Sequence, residues 1–158
     1  NAGITHVNSP LMEVDEEMFD KLMAVNIKSI YLMTQATVPL MRQKGGGNII
    51  NIGSTAGIRP RPNLTWYNGT KGYVNTVTQS MAVELAPDDP GIMTSVAMFY
   101  VAQAERVSTE AVKNDLHQAA ETLFKGFLER HKNSIQARID YARVLRHLKR
   151  INEALAMM

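Results

Sequence analysis

The sequence predicts an α/β fold with an appended α-helical segment, and three observations support this prediction. A short β-branched run, Asn48–Gly53, follows three consecutive glycines, as is typical of a buried strand. Apolar residues across positions 66–85 recur at helical spacing. After residue 101 the chain has one glycine and no proline, and its apolar pattern is helical throughout. We therefore expect an α/β domain over residues 1–98 and a helical segment over residues 99–158.

The first predicted helix begins in the acidic stretch Glu13–Glu17 and continues toward Arg42. Carboxylates in a first turn lie near the positive end of the helix dipole, which favours a helix start there. Asn26 lies in the helix interior, where asparagine is a poor helix former, so we expect a local distortion or a function at this position. Pro39 is expected to kink or distort the same helix.

The clearest chemical signal joins the start of the next helix to the end of the predicted strand. Tyr67 and Lys71 are four residues apart, so their side chains share one helix face. A fixed ammonium beside a phenol lowers the pKa of the phenol, which makes a general acid/base usable near neutral pH. Ser54 follows the strand directly, at the sheet edge where open α/β folds bind ligands, and its hydroxyl can hydrogen-bond a carbonyl. Together these side chains indicate carbonyl/alcohol redox chemistry.

Each of these residues also has a purely structural interpretation. A tyrosine on a helix is more often a packed core residue with a satisfied hydroxyl. Ser54 is also a good residue for capping a turn. The Tyr-x-x-x-Lys spacing alone recurs by chance in many chains. The catalytic interpretation therefore depends on the motifs that flank it.

Four segments, in order, resemble the successive motifs of the short-chain dehydrogenase/reductase family. They are Asn1-Ala2-Gly3, Val25-Asn26-Ile27, Asn51-Ile52-Gly53-Ser54 and Tyr67-x-x-x-Lys71. Their order and spacing match from Asn1 to about Pro87, and the 3-oxoacyl-reductase or glucose-dehydrogenase type is the most similar. The resemblance implies a doubly wound parallel sheet, of which this chain holds a partial Rossmann-like portion. It also implies NAD(P)-dependent interconversion of a carbonyl and an alcohol.

The resemblance assigns a role to each catalytic motif residue. Tyr67 is implied to be the acid/base, and Ser54 is implied to orient the substrate carbonyl. Lys71 is implied to hold the nicotinamide ribose hydroxyls and to lower the pKa of Tyr67. Asn26 is implied to hold a water that relays protons from Lys71.

The resemblance also implies where a cofactor and a partner subunit bind. NAD or NADP is implied to lie along Asn1, Ala2 and Gly3 and against Tyr67 and Lys71. A homo-oligomer is implied because family members pack the two motif-bearing helices against a partner subunit. The sequence does not distinguish NAD from NADP, and it does not single out a sugar, a steroid or an acyl thioester as substrate.

The sequence departs from the family pattern on both sides of these motifs. A strand followed by a spaced glycine turn and a helix, which would bind the pyrophosphate, does not occur in it. Gly91–Val101 is a candidate for the next strand, but no Pro-Gly turn follows it, and we do not extend the resemblance past Met98. We therefore expect a truncated or chimeric chain with weak or no turnover by itself.

Residues 102–158 carry three predicted helices, the first of which ends near His131. An offset of 34 residues from Ala120 to Ala154 resembles a tetratricopeptide repeat of about one and a half units. Lys132 and Lys149 stand where that repeat usually has proline and glycine. A helix hairpin with small residues is the alternative, and a peptide partner is expected for these helices. The apolar positions are Ala120, Phe124 and Phe127, then Ile139, Ala142, Val144, Leu145 and Leu148, then Ile151, Ala154 and Leu155.

Composition excludes several classes of function. The chain has no cysteine, which excludes disulfides, thiolate catalysis and Cys-ligated zinc. Its four histidines are scattered, so we expect no metal site. A formal net charge of +2 is too small and too dispersed for a nucleic-acid partner. No apolar run reaches about 18 residues, so we expect no membrane helix and a cytoplasmic protein.

The leading hypothesis is an NAD(P)-dependent short-chain oxidoreductase that acts on a small-molecule carbonyl or alcohol and is incomplete as this chain. One alternative is a non-enzymatic helical module that binds a partner protein. The other is a truncated or chimeric chain without catalytic activity. The oligomeric state, and whether the C-terminal segment is a true repeat, are not determined by the sequence.

Overall fold

The structure is a computed structural model that describes residues 2–157. Two compact units divide between Thr78 and Gln79, and we call residues 1–78 unit 1 and residues 79–158 unit 2. A π-helical turn, Ala24–Lys28, joins the first two helices. The α-helices are α1 (Glu16–Met23), α2 (Ser29–Gln43), α3 (Thr65–Leu85), α4 (Pro90–Ala104), α5 (Glu110–Arg130), α6 (Ile135–His147) and α7 (Ile151–Ala156), and 3-10 turns span Leu11–Glu13 and Thr55–Gly57.

The first helix of unit 1 begins where its acidic stretch predicts. Asp15 caps α1, because its side chain accepts a hydrogen bond of 2.7 Å from the backbone N–H of Met18. The distortion expected at Asn26 is confirmed, since the π-helical turn is centred on this residue. Helix α2 then continues through Pro39 and ends before two glycines, Gly45 and Gly46, that have positive φ angles.

The buried strand predicted at 48–53 is wrong for the described residues. Residues 2–157 contain no β-strand, and this segment runs as irregular chain beside unit 1 helices. Ile50, predicted to be buried, is 82% exposed. A strand requires a neighbouring strand to pair with its backbone, and the described chain supplies none here. The helices of the predicted α/β fold are therefore present, and the predicted partial parallel sheet is not seen within residues 2–157.

The strand proposed at 91–101 is also wrong, because α4 occupies this region. Asp89 caps the helix by accepting a hydrogen bond of 3.0 Å from the N–H of Ile92, and Pro90 begins its first turn. An apolar run does not distinguish a buried strand from a buried helix, so the capping residues decide here. Helix α4 buries Met93, Val96 and Ala97 in the core of unit 2.

The helices predicted for the C-terminal segment are confirmed, and they pack as one helical unit. The first ends at Arg130, as the pattern predicts near His131. Lys149, which stands where a repeat would have glycine, has a φ of 60°. The main core cluster is Ala97, Val101, Ala120, Phe124, Tyr141, Ala142, Val144, Leu145 and Ala154.

Helix α4 belongs to this packing, since Ala97 and Val101 lie in the core cluster. The sequence boundary at residue 98 would divide α4, whereas the compact units divide at residue 78. That boundary concerns sequence resemblance rather than packing, and it stays a prediction. Across the described chain, no helix is both long enough and apolar enough to cross a membrane.

Candidate active site

Helix α3 places Tyr67 and Lys71 together in its first two turns. The Lys71 Nζ lies 6.0 Å from the centroid of the Tyr67 ring. Lys71 is only 8% exposed, whereas Tyr67 is half-buried. The ammonium is thus held inside unit 1 while the phenol keeps contact with solvent, as a group that exchanges protons with a ligand requires.

Lys71 is held by the segment that leads to Ser54. Its Nζ donates a hydrogen bond of 2.9 Å to the carbonyl oxygen of Ile52. An ammonium has three N–H donors, so this bond leaves two for other acceptors. A buried lysine with one anchored and two remaining donors is suited to hold a pair of hydroxyl groups.

Ser54 caps the short 3-10 turn that follows it. The backbone N–H of Ala56 donates a hydrogen bond of 3.1 Å to the Ser54 Oγ. This bond uses a lone pair of the oxygen, so the hydroxyl proton stays available for a substrate carbonyl. The capping role and the substrate-orienting role predicted for Ser54 are therefore chemically compatible.

Gly57, at the end of the same turn, brings the Ser54 segment against α3. A Cβ placed on Gly57 would lie 2.5 Å from the backbone oxygen of Lys71. Only glycine permits this approach, and it fixes the Ser54 turn beside the Lys71 turn of the helix. The structure thus brings the elements that bear Ser54, Tyr67 and Lys71 together.

Asn26 is 4% exposed, and its side-chain amide pairs with the backbone of Ile4. The Nδ2 donates to the Ile4 carbonyl oxygen at 2.9 Å, and the Oδ1 accepts from the Ile4 N–H at 2.9 Å. The amide therefore acts as a peptide-like hydrogen-bond partner for Ile4, beside which the described part of the chain places no strand. The water-holding role predicted for this residue stays a prediction.

Gly3 lies next to both of these groups. A Cβ on Gly3 would be 3.8 Å from the Asn26 Oδ1 and 3.8 Å from the Lys71 Nζ. The segment predicted to line a cofactor therefore borders the buried ammonium. Ala2 is exposed beside it, and Asn1 lies outside the described residues.

Thr70 is a site residue that the sequence analysis missed. It is fully buried, it accepts a hydrogen bond of 3.0 Å from the Asn26 Nδ2, and its hydroxyl donates to the Tyr67 carbonyl oxygen at 2.8 Å. The available signal was its position four residues before Val74, on the apolar face of α3. A hydroxyl on such a face needs a buried hydrogen-bond partner.

His6 is a second residue that sequence reasoning missed. It is 5% exposed, its Nδ1 lies 2.7 Å from the carbonyl oxygen of Val7, and its buried Nε2 finds no hydrogen-bond partner among residues 2–157. Because a carbonyl only accepts, Nδ1 is the donor in this contact. The described residues also contain no group of three or more His, Cys, Asp or Glu side chains arranged to hold a metal.

The family model described as short chain dehydrogenase matches residues 1–123 of this chain. The match extends into α5, past the point at which the motif resemblance ends. The tetratricopeptide-like interpretation of residues 102–158 gains no support from these comparisons.

Relatives of known type match about half of the chain. The 4-formylbenzenesulfonate dehydrogenase of Comamonas testosteroni is 44% identical over 86 residues, which are 54% of this chain and 34% of that protein. Dehydrogenase/reductase SDR family member 4 of Homo sapiens is 38% identical over 87 residues, 55% of this chain and 31% of that protein. The chain thus spans about a third of the length of the curated relatives it matches.

A solved structure supports the α/β class for the matched part. The 3-ketoacyl-(acyl-carrier-protein) reductase of Brucella melitensis, complexed with NADH, aligns with a TM-score of 0.52 at 46% identity. The alignment covers 54% of this chain and 37% of that chain.

Proposed function

Because this chain belongs to the short-chain dehydrogenase family, we propose that Tyr67, Lys71 and Ser54 serve NAD(P)-dependent interconversion of a carbonyl and an alcohol. One observation carries the proposal. The buried Lys71 ammonium lies 6.0 Å from the Tyr67 ring and is bonded to Ile52, two residues before Ser54. An acid/base, a cation and a hydrogen-bond donor are thereby assembled within unit 1.

The proton steps follow from the chemistry of these side chains. During reduction, the Tyr67 hydroxyl gives its proton to the carbonyl oxygen, and during oxidation the phenolate takes that proton back. Lys71 stabilises the phenolate as its charge develops. Ser54 donates its free hydroxyl proton to the same oxygen and so fixes the carbonyl.

A nicotinamide cofactor, NAD or NADP, supplies or accepts the hydride when it is bound. The residues present fit its ribose end, since Lys71 keeps two N–H donors for a pair of ribose hydroxyls beside the bare backbone of Gly3. Ala2, Gly3, Tyr67 and Lys71 are the residues we propose to hold it. Asn1 keeps this role as a prediction from the sequence.

We propose a small carbonyl or alcohol as substrate. The relatives bear names that refer to an aromatic aldehyde and to a 3-ketoacyl thioester, so these two compounds are the natural probes.

The experiment is a titration of the purified chain with NADH and NADPH, followed by turnover assays with 4-formylbenzenesulfonate and a 3-ketoacyl thioester. We expect saturable binding, and a loss of turnover of about a hundredfold or more in Tyr67→Phe. Tyr73→Phe, on the same helix and with an exposed ring, is the matched control and keeps full turnover. A folded protein that binds neither nucleotide, or a Tyr67→Phe variant that retains turnover, overturns the proposal.

The second candidate is a helical module that binds a partner peptide. It is favoured by a mainly apolar groove of about 390 Å³ in unit 2, lined by residues that include Leu128, Tyr141, Leu145 and Met157. This candidate is supported if the folded chain binds neither NADH nor NADPH but binds peptides selected from an amphipathic-helix library. Their binding should then fall on Lys132→Glu, a charge reversal at the groove.

A further inference from the structure

We infer that Thr70 is a positioning residue that, together with the Ile4 backbone, locks the Asn26 amide in one orientation and ties the Tyr67–Lys71 turn to the segment Gly3–Ile4. The inference rests on the proposed function for its catalytic consequence, while its structural part can be measured without turnover. Thr70 touches none of the reacting groups and acts through Asn26 and the helix backbone.

The direction of the hydrogen bonds follows from the one proton of the hydroxyl. The Thr70 hydroxyl lies 2.8 Å from the Tyr67 carbonyl oxygen, which can only accept, so the proton points there. The 3.0 Å contact with Asn26 must then be donated by Asn26. Thr70 therefore selects the nitrogen of the amide, not its oxygen, for the side that faces α3.

The Asn26 amide has no equally good second orientation. As placed, Nδ2 gives its two protons to Thr70 and to the Ile4 carbonyl, and Oδ1 accepts the Ile4 N–H. A flipped amide would set Oδ1 against the Ile4 carbonyl oxygen and set Nδ2 against the Ile4 N–H. Two pairs of like partners would then face each other in a buried site, which is costly.

The lock connects directly to the proposed acid/base pair. Thr70 precedes Lys71 in α3 and binds the backbone of Tyr67, so it belongs to the turn that carries both groups. On the other side of the amide, Gly3 lies beside both Asn26 Oδ1 and Lys71 Nζ. Losing the Thr70 hydroxyl leaves one Asn26 Nδ2 proton without its partner and removes the tie between the amide, with the Gly3–Ile4 segment that it holds, and the Tyr67–Lys71 turn.

The same helix provides a matched control. Two turns along α3, Thr78 accepts a hydrogen bond of 2.9 Å from the Asn51 Nδ2 and donates to the Val74 carbonyl oxygen at 2.6 Å. The Thr78 pair repeats the chemistry of the Thr70 pair but lies farther along α3 from Tyr67. A Thr78→Val substitution removes a similar structural bond without touching the Asn26 amide.

The experiment compares Thr70→Val, Thr70→Ser and Thr78→Val by nuclear magnetic resonance and by kinetics. In Thr70→Val we expect hydrogen exchange of the Asn26 Nδ2 protons to accelerate about tenfold or more. We expect kcat to fall about ten- to hundredfold while KM for the carbonyl stays within about twofold. Thr70→Ser keeps the hydroxyl, so the Asn26 exchange rate and kcat should both stay close to those of the original protein. Thr78→Val should leave kcat within about twofold of the original.

Where Thr70→Val folds, either of two results overturns the inference: unchanged Asn26 exchange in Thr70→Val, or an equal loss of kcat in Thr78→Val. If Thr70→Val does not fold, the original protein and Thr70→Ser decide the question. Asn26 Nδ2 protons that exchange as fast as those of Asn51 in these two proteins overturn it as well. If no turnover is found at all, the proposed function fails, and the exchange data still test the lock separately.

Discussion

A different kind of interaction stabilises the interior of each unit of this protein. In unit 1, buried side-chain hydrogen bonds connect irregular segments to helices, as when Asn26 pairs with Ile4 and Lys71 binds the Ile52 carbonyl. In unit 2, an apolar cluster around Phe124 and Leu145 fills the space between helices. Several large apolar side chains of unit 1 are exposed, among them Ile50 and Leu40.

This difference predicts which substitutions each unit tolerates. An apolar core tolerates substitution by residues of similar size and shape, since burial is not directional. A directional hydrogen bond such as that of Lys71 tolerates few substitutions, because the partner left behind is buried without a bond. In unit 1, the residues that tolerate few substitutions are therefore expected near the proposed site. In unit 2, apolar burial is expected to supply most of the stability.

The largest expected effect tests the packing side of this comparison. Phe124→Ala removes a fully buried ring that stacks on Tyr141 at 5.5 Å between centroids. We expect the free energy of unfolding of unit 2 to fall by about 3–5 kcal/mol. The control is Leu40→Ala in unit 1, where the exposed side chain should cost at most about 1 kcal/mol. Urea titrations monitored by circular dichroism measure both, and equal losses would break the comparison.

A smaller effect tests the close approach in unit 1. In Gly57→Ala the new methyl group meets the Lys71 backbone oxygen at 2.5 Å, so the Ser54 turn must shift. We expect a loss of about 1–3 kcal/mol in stability, together with lower turnover. Gly69→Ala is the matched control, because nothing lies near its Cβ position and alanine favours a helix by about 1 kcal/mol. A Gly57→Ala protein as stable as the Gly69→Ala protein would contradict the prediction.

The smallest effect concerns ion pairs in unit 2. The Lys125 Nζ lies 2.6 Å from the Glu121 Oε1 and lowers the pKa of that carboxyl group. The Arg150 Nη1, 2.5 Å from the Glu121 Oε2, lowers the pKa further. Because the folded pKa is depressed, this stabilisation is present above the unfolded pKa and is lost as pH falls through the folded pKa. Glu121→Gln should cost about 1 kcal/mol near neutral pH, since Lys125 is largely exposed.

The measurement is the thermal midpoint of both proteins from about pH 7 down to about pH 3. The difference between them should shrink as the carboxylate is protonated. A difference that stays constant over this range would show that Glu121 stabilises through packing rather than through charge.

Apart from α4, the helices of the described residues are predicted from apolar residues at helical spacing. The sequence predicts the distortion at Asn26 for a physical reason, the poor fit of asparagine in a helix interior. It fails at Asn48–Gly53 and Gly91–Val101, where β-branched or apolar runs carry no information on whether a partner strand exists. The strands that pair in a sheet can lie far apart in sequence. Only the folded structure therefore shows that the described residues contain no partner strand for these two segments.

The candidate site is predicted in part. Sequence spacing places Tyr67 and Lys71 on one face, and the structure gives them a shared environment. Thr70 and Gly57 escape prediction because their roles depend on what reaches them from other segments. The catalytic roles of Ser54, Tyr67, Lys71 and Asn26 stay predictions until turnover is measured.

The π-helical turn at Ala24–Lys28 determines how this helix responds to the deletion of a residue. Such a turn contains one residue more than the regular ladder, and each residue of an α-helix advances by about 100°. The wider turn absorbs this extra residue, so α2 keeps nearly the phase that a regular helix would give it. Deleting one residue from the turn is therefore expected to restore the regular ladder and to leave the buried and exposed faces of α2 in place. The change should be felt at Asn26, whose amide would lose its position against Ile4.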